Sequence, residues 1–363
     1  MAATLWAVGA VMLAAILARQ AADPGGQYGF DFATYHRASA EMLSGRSPYA
    51  PEMFRAPVPA QGPGAQVYKY PPVFAEALTP LAVLPLPQAQ LAWLLLQTML
   101  VVAGVWLAGS AGGLAATPER LLWSGVAATW YLPIFDTLWK GNVSGLLAFM
   151  VGLGALLGLR AGAAAGLAAL IKGTTLTLVP MALLAPGSAR RGLAIAAGLG
   201  IVSLLIAPGA WLDYAAVLPN LVAGSAAFPT NLAPDALVSQ HGPDAIRWLA
   251  GPIRLVTVAL GVGFLLAGCR AARATQLWPL ALTCGVAAML LLPSSIWYHY
   301  LALLLPVAAL AWSRATAGGR IAMVASGALV SAALAWLPLA VLGAAGMLAA
   351  SLSSLRPQRL SGE

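Results

Sequence analysis

The groups able to exchange a proton or hold an anion are scarce in this chain of 363 residues, and their placement is uneven. There are 11 acidic residues and three histidines, and of 19 basic residues only Lys69, Lys140 and Lys172 are lysines. Asp23, Asp31, Glu41, Glu52, Glu76, Asp136, Asp213, Asp235 and Asp244 cluster in or beside the same set of polar connections, with His36, His241 and His299 among them. Only Glu119 and Glu363 fall on the opposite side of the predicted topology. Titratable groups beside an apolar layer are costly, so their concentration on one face points to a functional face. The stretch from Asp31 through Tyr35, His36, Arg37 and Glu41 to Gly45 reads as one short helix. Asp31 stands at its start, where a carboxylate suits the free N–H groups, and taken alone it reads as a plain N-cap. Arg37 and Glu41 are one turn apart, and Gly45 is a stop.

The elements that must position these groups are transmembrane helices. Sixty per cent of the residues are hydrophobic and 8% are charged. Mean hydropathy is +0.83. Soluble domains carry about 25% charged residues, so lipid is the solvent for much of this chain. Long apolar runs without strand alternation make helices, not a barrel, the way to satisfy the backbone. Candidate spans or re-entrant helices are 5–22, 89–109, 120–135, 143–159, 161–171, 174–185, 192–207, 251–268, 277–292, 298–312, 321–337 and 339–352. The fold class is therefore all-α and polytopic, with about 11 to 13 transmembrane or re-entrant helices. The N-terminal stretch lacks a basic region before its apolar part, so it reads as a retained first span and not a signal peptide. The segment 73–86 is apolar but short and bracketed by prolines, and it reads either as a span or as an interfacial helix.

Charge decides the expected orientation. With the N-terminus inside and 73–86 at the outer interface, Arg120, Arg160, Arg190, Arg191, Arg270, Arg273, Arg314, Arg320, Arg356 and Arg359 all become cytoplasmic. Segment 161–185 must then be a hairpin turning near Lys172. Arg19 counts against this arrangement, and a full crossing by 73–86 would invert it. The expected organisation is one transmembrane domain over 1–355, a first outer loop at 23–72, a second at 209–248, and a cytoplasmic tail at 356–363. The membrane is the plasma (inner) membrane, and the functional face is extracytoplasmic. The net charge of +8 is too scattered for nucleic acid. Cys269 and Cys284 read as small apolar residues, and no Cys/His cluster has zinc spacing.

Several pieces recur in a telling order. After Asp31 come Gly45-Arg-Ser-Pro48-Tyr49, Tyr68-Lys69-Tyr70-Pro71-Pro72 before an apolar helix, and the Gly141-Asn142 turn. Lys172-Gly173 then breaks a helix, and Trp297-Tyr298-His299-Tyr300 opens a late span. This order resembles glycosyltransferase family 87 of the GT-C superfamily over about residues 31–310, with the Gly-to-Tyr motif one residue longer than in the family. The resemblance implies a GT-C-type bundle with a long first extracytoplasmic loop. It implies transfer, with inversion, of mannose or arabinofuranose from a polyprenyl-phosphate donor to a lipid or glycan hydroxyl. Mannose is the expected sugar. Asp31 matches the position of the general base. Lys69, Lys140, Lys172 and His299, with Arg254 also available, are the candidates to bind the donor phosphate or substrate. Tyr35, Tyr49, Tyr70, Asn142 and Trp297 are candidate substrate contacts. No pair of adjacent acids follows Asp31, so no metal site and no cofactor is required, and use of a divalent cation stays open. A different class remains beside the enzyme: a flippase for a lipid-linked sugar, or a non-catalytic envelope-assembly protein. The nearly pure Ala/Leu/Val/Gly character of the mid-span segments, Lys172 excepted, argues against a transport path.

Overall fold

Alanine, leucine, valine and glycine without period-two alternation leave the backbone to bond within its own segment, and this chain does so throughout. The computed structural model describes residues 1–22, 28–55, 57, 67–225, 230–332 and 336–356, among which every regular element is helical. Asp23, Arg359 and Glu363 lie outside the described residues. Four helices are long and apolar enough to cross a membrane: Leu86–Ala111, Ala189–Ile206, Asp244–Ala271 and Pro338–Leu355. Shorter apolar helices pack among them. The protein is an all-α polytopic membrane protein.

Prolines break several expected spans. The stretch expected over 120–135 is two helices, Pro118–Trp130 and Leu132–Lys140, because Tyr131 before the second one takes an extended conformation and Pro133 starts it. Segment 73–86 forms only Pro72–Ala77 and Thr79–Ala82, six and four residues long. A crossing takes about 20 residues, so neither helix is long enough to cross by itself. The segment 209–248, expected as a loop, is mostly helical: Pro208–Ser225, Pro234–His241 and a 3-10 turn at Asp244–Leu249. Pro219 sits inside the first of these helices. Its face of Ala210, Tyr214, Val217 and Leu221 packs inward and outweighs the one lost backbone bond.

The expected hairpin over 161–185 is present. Helix Leu159–Ile171 ends where Lys172 turns extended (φ −147°), and the chain returns through Gly173–Leu178 and Val179–Leu184. Both limbs rise about 20 Å. The outgoing limb lies almost backbone to backbone against Ala189–Ile206. A Cβ on Gly162 would stand 1.8 Å from the Ala189 carbonyl oxygen, and one on Gly192 would stand 2.1 Å from that of Leu159. Small residues at such crossings let helices approach without a hydrophobic drive between them.

The helices sort charge to two ends. Arg120 closes one end of Leu86–Ala111 by bonding Ser110 Oγ (2.6 Å) and the Leu114 carbonyl over the Trp106 ring. Arg190 donates to the Leu183 carbonyl at 2.8 Å, and Arg320 to that of Trp312 at 3.1 Å. Arg160 stands at the start of Leu159–Ile171 and Arg270 at the end of Asp244–Ala271, while Arg314 and Arg356 follow the last turns of Leu304–Trp312 and Pro338–Leu355. The other end carries Asp31, Asp136, Lys140, Lys172 and His299.

One glycine sets the approach of elements at that end, and a second, elsewhere in the bundle, serves as its contrast. Gly141 (φ +65°) ends Leu132–Lys140, and a Cβ there would lie 2.7 Å from Phe32 Cβ. Gly198, in the middle of Ala189–Ile206, faces open space. Gly141→Ala should therefore lose about 1–3 kcal/mol, while Gly198→Ala should be neutral or stabilising. Thermal unfolding of the purified variants in one detergent checks both signs.

Candidate active site

Asp31 is not an N-cap. Gly29 occupies that position in a left-handed conformation (φ +65°), without a side-chain cap, and Phe30 begins the helix Phe30–Leu43. The Gly29 N–H instead donates to the Trp139 carbonyl at 2.8 Å, which pins the helix start to Leu132–Lys140. Phe32 stacks on Trp93 at 5.4 Å, and Trp93 Nε1 donates to the Gly141 carbonyl at 2.8 Å. These contacts turn the Asp31 side chain inward, where it is 9% exposed.

There Asn142 Nδ2 donates to Asp31 Oδ2 at 2.6 Å, across 111 residues of chain. The orientation of that amide is fixed. Asn142 Oδ1 accepts from the Ser144 backbone N–H (3.0 Å) and from Ser144 Oγ (2.8 Å), so the NH₂ group can only face the carboxylate. Asn142 N donates to the Thr137 carbonyl at 2.8 Å, which fixes the turn itself. Burial pushes the Asp31 carboxyl above the usual carboxylate range. The Asn142 bond and the Lys140 and Lys172 ammoniums draw it partly back, and Asp136 adds to the rise.

A cationic and aromatic wall stands beside this carboxylate. Lys172, 8% exposed, places Nζ 3.8 Å from the centre of the Tyr300 ring and 5.6 Å from that of Tyr70. The ring faces stabilise an ammonium held away from water. Tyr35 Oη donates to Tyr70 Oη at 2.9 Å, with the two rings edge-on at 5.0 Å. Tyr49 stands one layer back, donating to the Tyr70 carbonyl at 2.8 Å and stacking on Tyr214. Asn220 ties the same layer together by donating to the Met53 carbonyl at 2.8 Å. Lys69 lies in the irregular connection before Pro71. Burial lowers its ammonium below the usual lysine range, and the Asp31 charge works against that.

Lys140 takes a different partner. Its Nζ lies 2.8 Å and 2.9 Å from the two carboxylate oxygens of Asp136, one helical turn back. His299 Nδ1 faces Asp136 Oδ2 at 3.7 Å, and Trp297 lies parallel to the imidazole at 6.3 Å. Burial opposes ionisation of Asp136. The facing imidazole and Lys140 outweigh it and leave the carboxyl below its ordinary value. Arg254 is not free for a ligand. Its guanidinium caps the helix Trp278–Leu291 by donating to the carbonyls of Leu292 (2.6 Å), Pro293 (2.9 Å) and Leu291 (3.5 Å).

The fold thus gathers Asp31, Asn142, Lys172, Tyr70 and Tyr35 in direct succession, with Lys69 and Tyr49 at the margin. Lys140, His299 and Trp297 form a neighbouring group around Asp136. Sequence reasoning passed over three participants. Asp136 was one outer acid among several, although its spacing of four from Lys140 marks a helical pair. Ser144 lies outside the Gly141-Asn142 motif, yet Asn142 and Ser144 form an Asx-type turn. Tyr300 closes the Trp297–Tyr300 motif, and nothing in that pattern marks its ring as one that faces Lys172.

Exchanging the amide for a second carboxyl tests the pairing. In Asn142→Asp the two carboxyls share a proton in the folded protein, and their folded-state pKa rises above the unfolded value. Stability is then retained at low pH and lost as pH rises through the raised value. The unfolding temperature of the variant should fall relative to wild type as pH rises above the ordinary carboxylate range.

No curated protein sequence matches the chain. Residues 68–293 match the sequence model of glycosyltransferase family 87. That stretch contains Lys69, Tyr70, Asp136, Lys140, Asn142 and Lys172, while Asp31 and His299 lie outside it and reach it through the fold. With a buried carboxylate and ammonium gathered at one end of a membrane bundle, and with more than half its length matched, the chain belongs to glycosyltransferase family 87.

Proposed function

We propose that the protein transfers a sugar, mannose by our reading, from a polyprenyl-phosphate donor to a hydroxyl of a lipid or glycan acceptor, with inversion at the anomeric carbon. The bond between Asp31 and the locked Asn142 amide carries this reading. It holds a buried carboxylate in one orientation, beside ammonium groups of opposite use. Asp31 takes the proton of the acceptor hydroxyl. The freed oxygen pair attacks the anomeric carbon, and the bond from that carbon to the phosphate oxygen breaks. Its electron pair leaves with the polyprenyl phosphate, whose added negative charge Lys172 and Lys69 stabilise. One displacement without a covalent intermediate inverts the centre.

The hairpin limb ending at Lys172 rises about 20 Å, less than the ~30 Å hydrocarbon core. On this reading the phosphate of a lipid-borne donor is drawn in from the side of the bundle toward the Lys172 ammonium. The ends rich in arginine are taken as cytoplasmic, which puts the N-terminus inside and the site on the outer side of the plasma membrane. Tyr35, Tyr49 and Tyr70 supply ring faces and hydroxyls for sugar contact. The scheme draws its positive charge from lysines and uses no cofactor.

Purified protein supplied separately with radiolabelled polyprenyl-phosphate mannose and polyprenyl-phosphate arabinofuranose should make a new glycoside from the mannose donor. Asp31→Asn and Asp31→Ala should lower transfer at least about a hundredfold while insertion and folding persist. Transfer at wild-type rates by Asp31→Ala would remove the base assignment. Because the carboxyl is raised, kcat/KM should climb with pH through a value above the ordinary carboxylate one of about 3.9, a limb that Asp31→Asn lacks. Movement of intact labelled lipid across vesicles, with no glycoside formed, would identify a flippase instead.

A further inference from the structure

Asp136 lies at the centre of a polar group that the transfer scheme leaves without a task. It binds Lys140 through both oxygens at 2.8 Å and 2.9 Å. Its Oδ2 also faces His299 Nδ1 at 3.7 Å. His299 is 6% exposed, and its Nδ1 is buried without a hydrogen-bond partner. The ring cannot turn freely. It is parallel to Trp297 at 6.3 Å and tilted against Tyr300 at 5.1 Å. The turn bearing it is tied down as well. Asn231 Nδ2 donates to the Ser294 carbonyl at 2.8 Å, and its Oδ1 accepts from the Ile296 N–H at 2.9 Å.

A neutral imidazole carries one N–H and one bare nitrogen, and the partner of one nitrogen selects the state of the other. A carboxylate is acceptor-only, so the nitrogen facing it is the one that keeps its hydrogen. The ammonium on Asp136 holds that carboxylate charged and in place. Resting on the transferase reading, we propose that Asp136 is a positioning residue that fixes His299 as the Nδ1–H tautomer, so that Nε2 meets the substrate as a hydrogen-bond acceptor for a sugar hydroxyl.

This divides the labour among the candidate phosphate ligands. A bare Nε2 cannot donate to a phosphate oxygen, so the phosphate belongs to Lys172 and Lys69, and His299 reads the sugar. Lys140 is withdrawn from the phosphate too, because Asp136 already occupies it. The pair His299–Asp136 then contributes to which sugar is held, while Asp31 contributes the proton transfer.

The test reads the tautomer directly. Full-length protein labelled with ring-¹⁵N histidine is reconstituted in nanodiscs, and the His299 signals are assigned by their loss in His299→Gln. The expected spectrum shows a neutral His299 ring with hydrogen on Nδ1. In Asp136→Asn that ring shifts toward the other tautomer, and Asp136→Glu restores part of the wild-type pattern. A wild-type ring bearing hydrogen on Nε2, or on both nitrogens, overturns the proposal, and so does a spectrum unchanged in Asp136→Asn. Should Asp136→Asn fail to fold, the wild-type spectrum alone decides. With the labelled donor, Asp136→Asn should lower kcat on the order of tenfold to a hundredfold, the range that loss of a carboxylate orienting a metal-bound histidine produces. Its acid limb set by Asp31 should persist, displaced toward lower pH because the Asp136 charge no longer adds to the rise of that carboxyl. The tautomer is independent of which donor is consumed, so a failed sugar assay and a failed tautomer assignment remain separate results.

Discussion

The site depends on a single hydrogen bond between two parts of the chain that composition gives no reason to join. Asn142 donates to Asp31 at 2.6 Å, and it can do so only because Ser144 occupies the other end of the same amide twice. A carboxylate at 9% exposure in an apolar bundle is expensive to ionise, and a fixed donor at hydrogen-bond distance offsets part of that cost. The bond also fastens the helix Phe30–Leu43 to the membrane-embedded core. Phe32 on Trp93, and the Trp93 indole on the Gly141 carbonyl, reach the same turn from the other side. The polar contact and the aromatic packing therefore constrain one another.

Lysine and arginine are used for different purposes. Arginines close helix ends: Arg120, Arg190, Arg254 and Arg320 each spend their planar donors on backbone carbonyls that lipid cannot satisfy. Lysines, as point charges on flexible stems, stand at the site. Even so the three are not equivalent. Lys172 rests on ring faces, Lys69 lies in a buried connection beside Asp31, and Lys140 is bound to Asp136. A count of basic residues on one face would have treated them as one cluster.

Hydrophobic periodicity and Arg placement made the helical class, the membrane setting and the two-ended sorting of charge legible in the sequence. The hairpin turning at Lys172 was legible as well, because Lys-Gly interrupts an apolar run and the Arg positions demand an even number of limbs. The helix over Pro208–Ser225 was not. Proline inside the segment and its mixed composition suggest a loop, and only its packing against Tyr49 and Met53 explains why the helix persists. The status of 73–86 was also undecidable from hydropathy, since prolines can end a helix or merely start one.

Taken alone, the sequence determined the solvent of this protein and the residue types present at its polar end, because burial in lipid is a matter of composition and run length. It also pointed to Asp31 through the order of motifs around it. It read that residue locally as an N-cap, since a helix start is the nearest explanation for an acid followed by helical spacing. Only the tertiary structure moved the cap to Gly29, brought Asn142 to the carboxylate from 111 residues away, and gave Lys140 to Asp136. Those choices rest on side-chain geometry across separate helices, and no one-dimensional pattern encodes which donor reaches which acceptor.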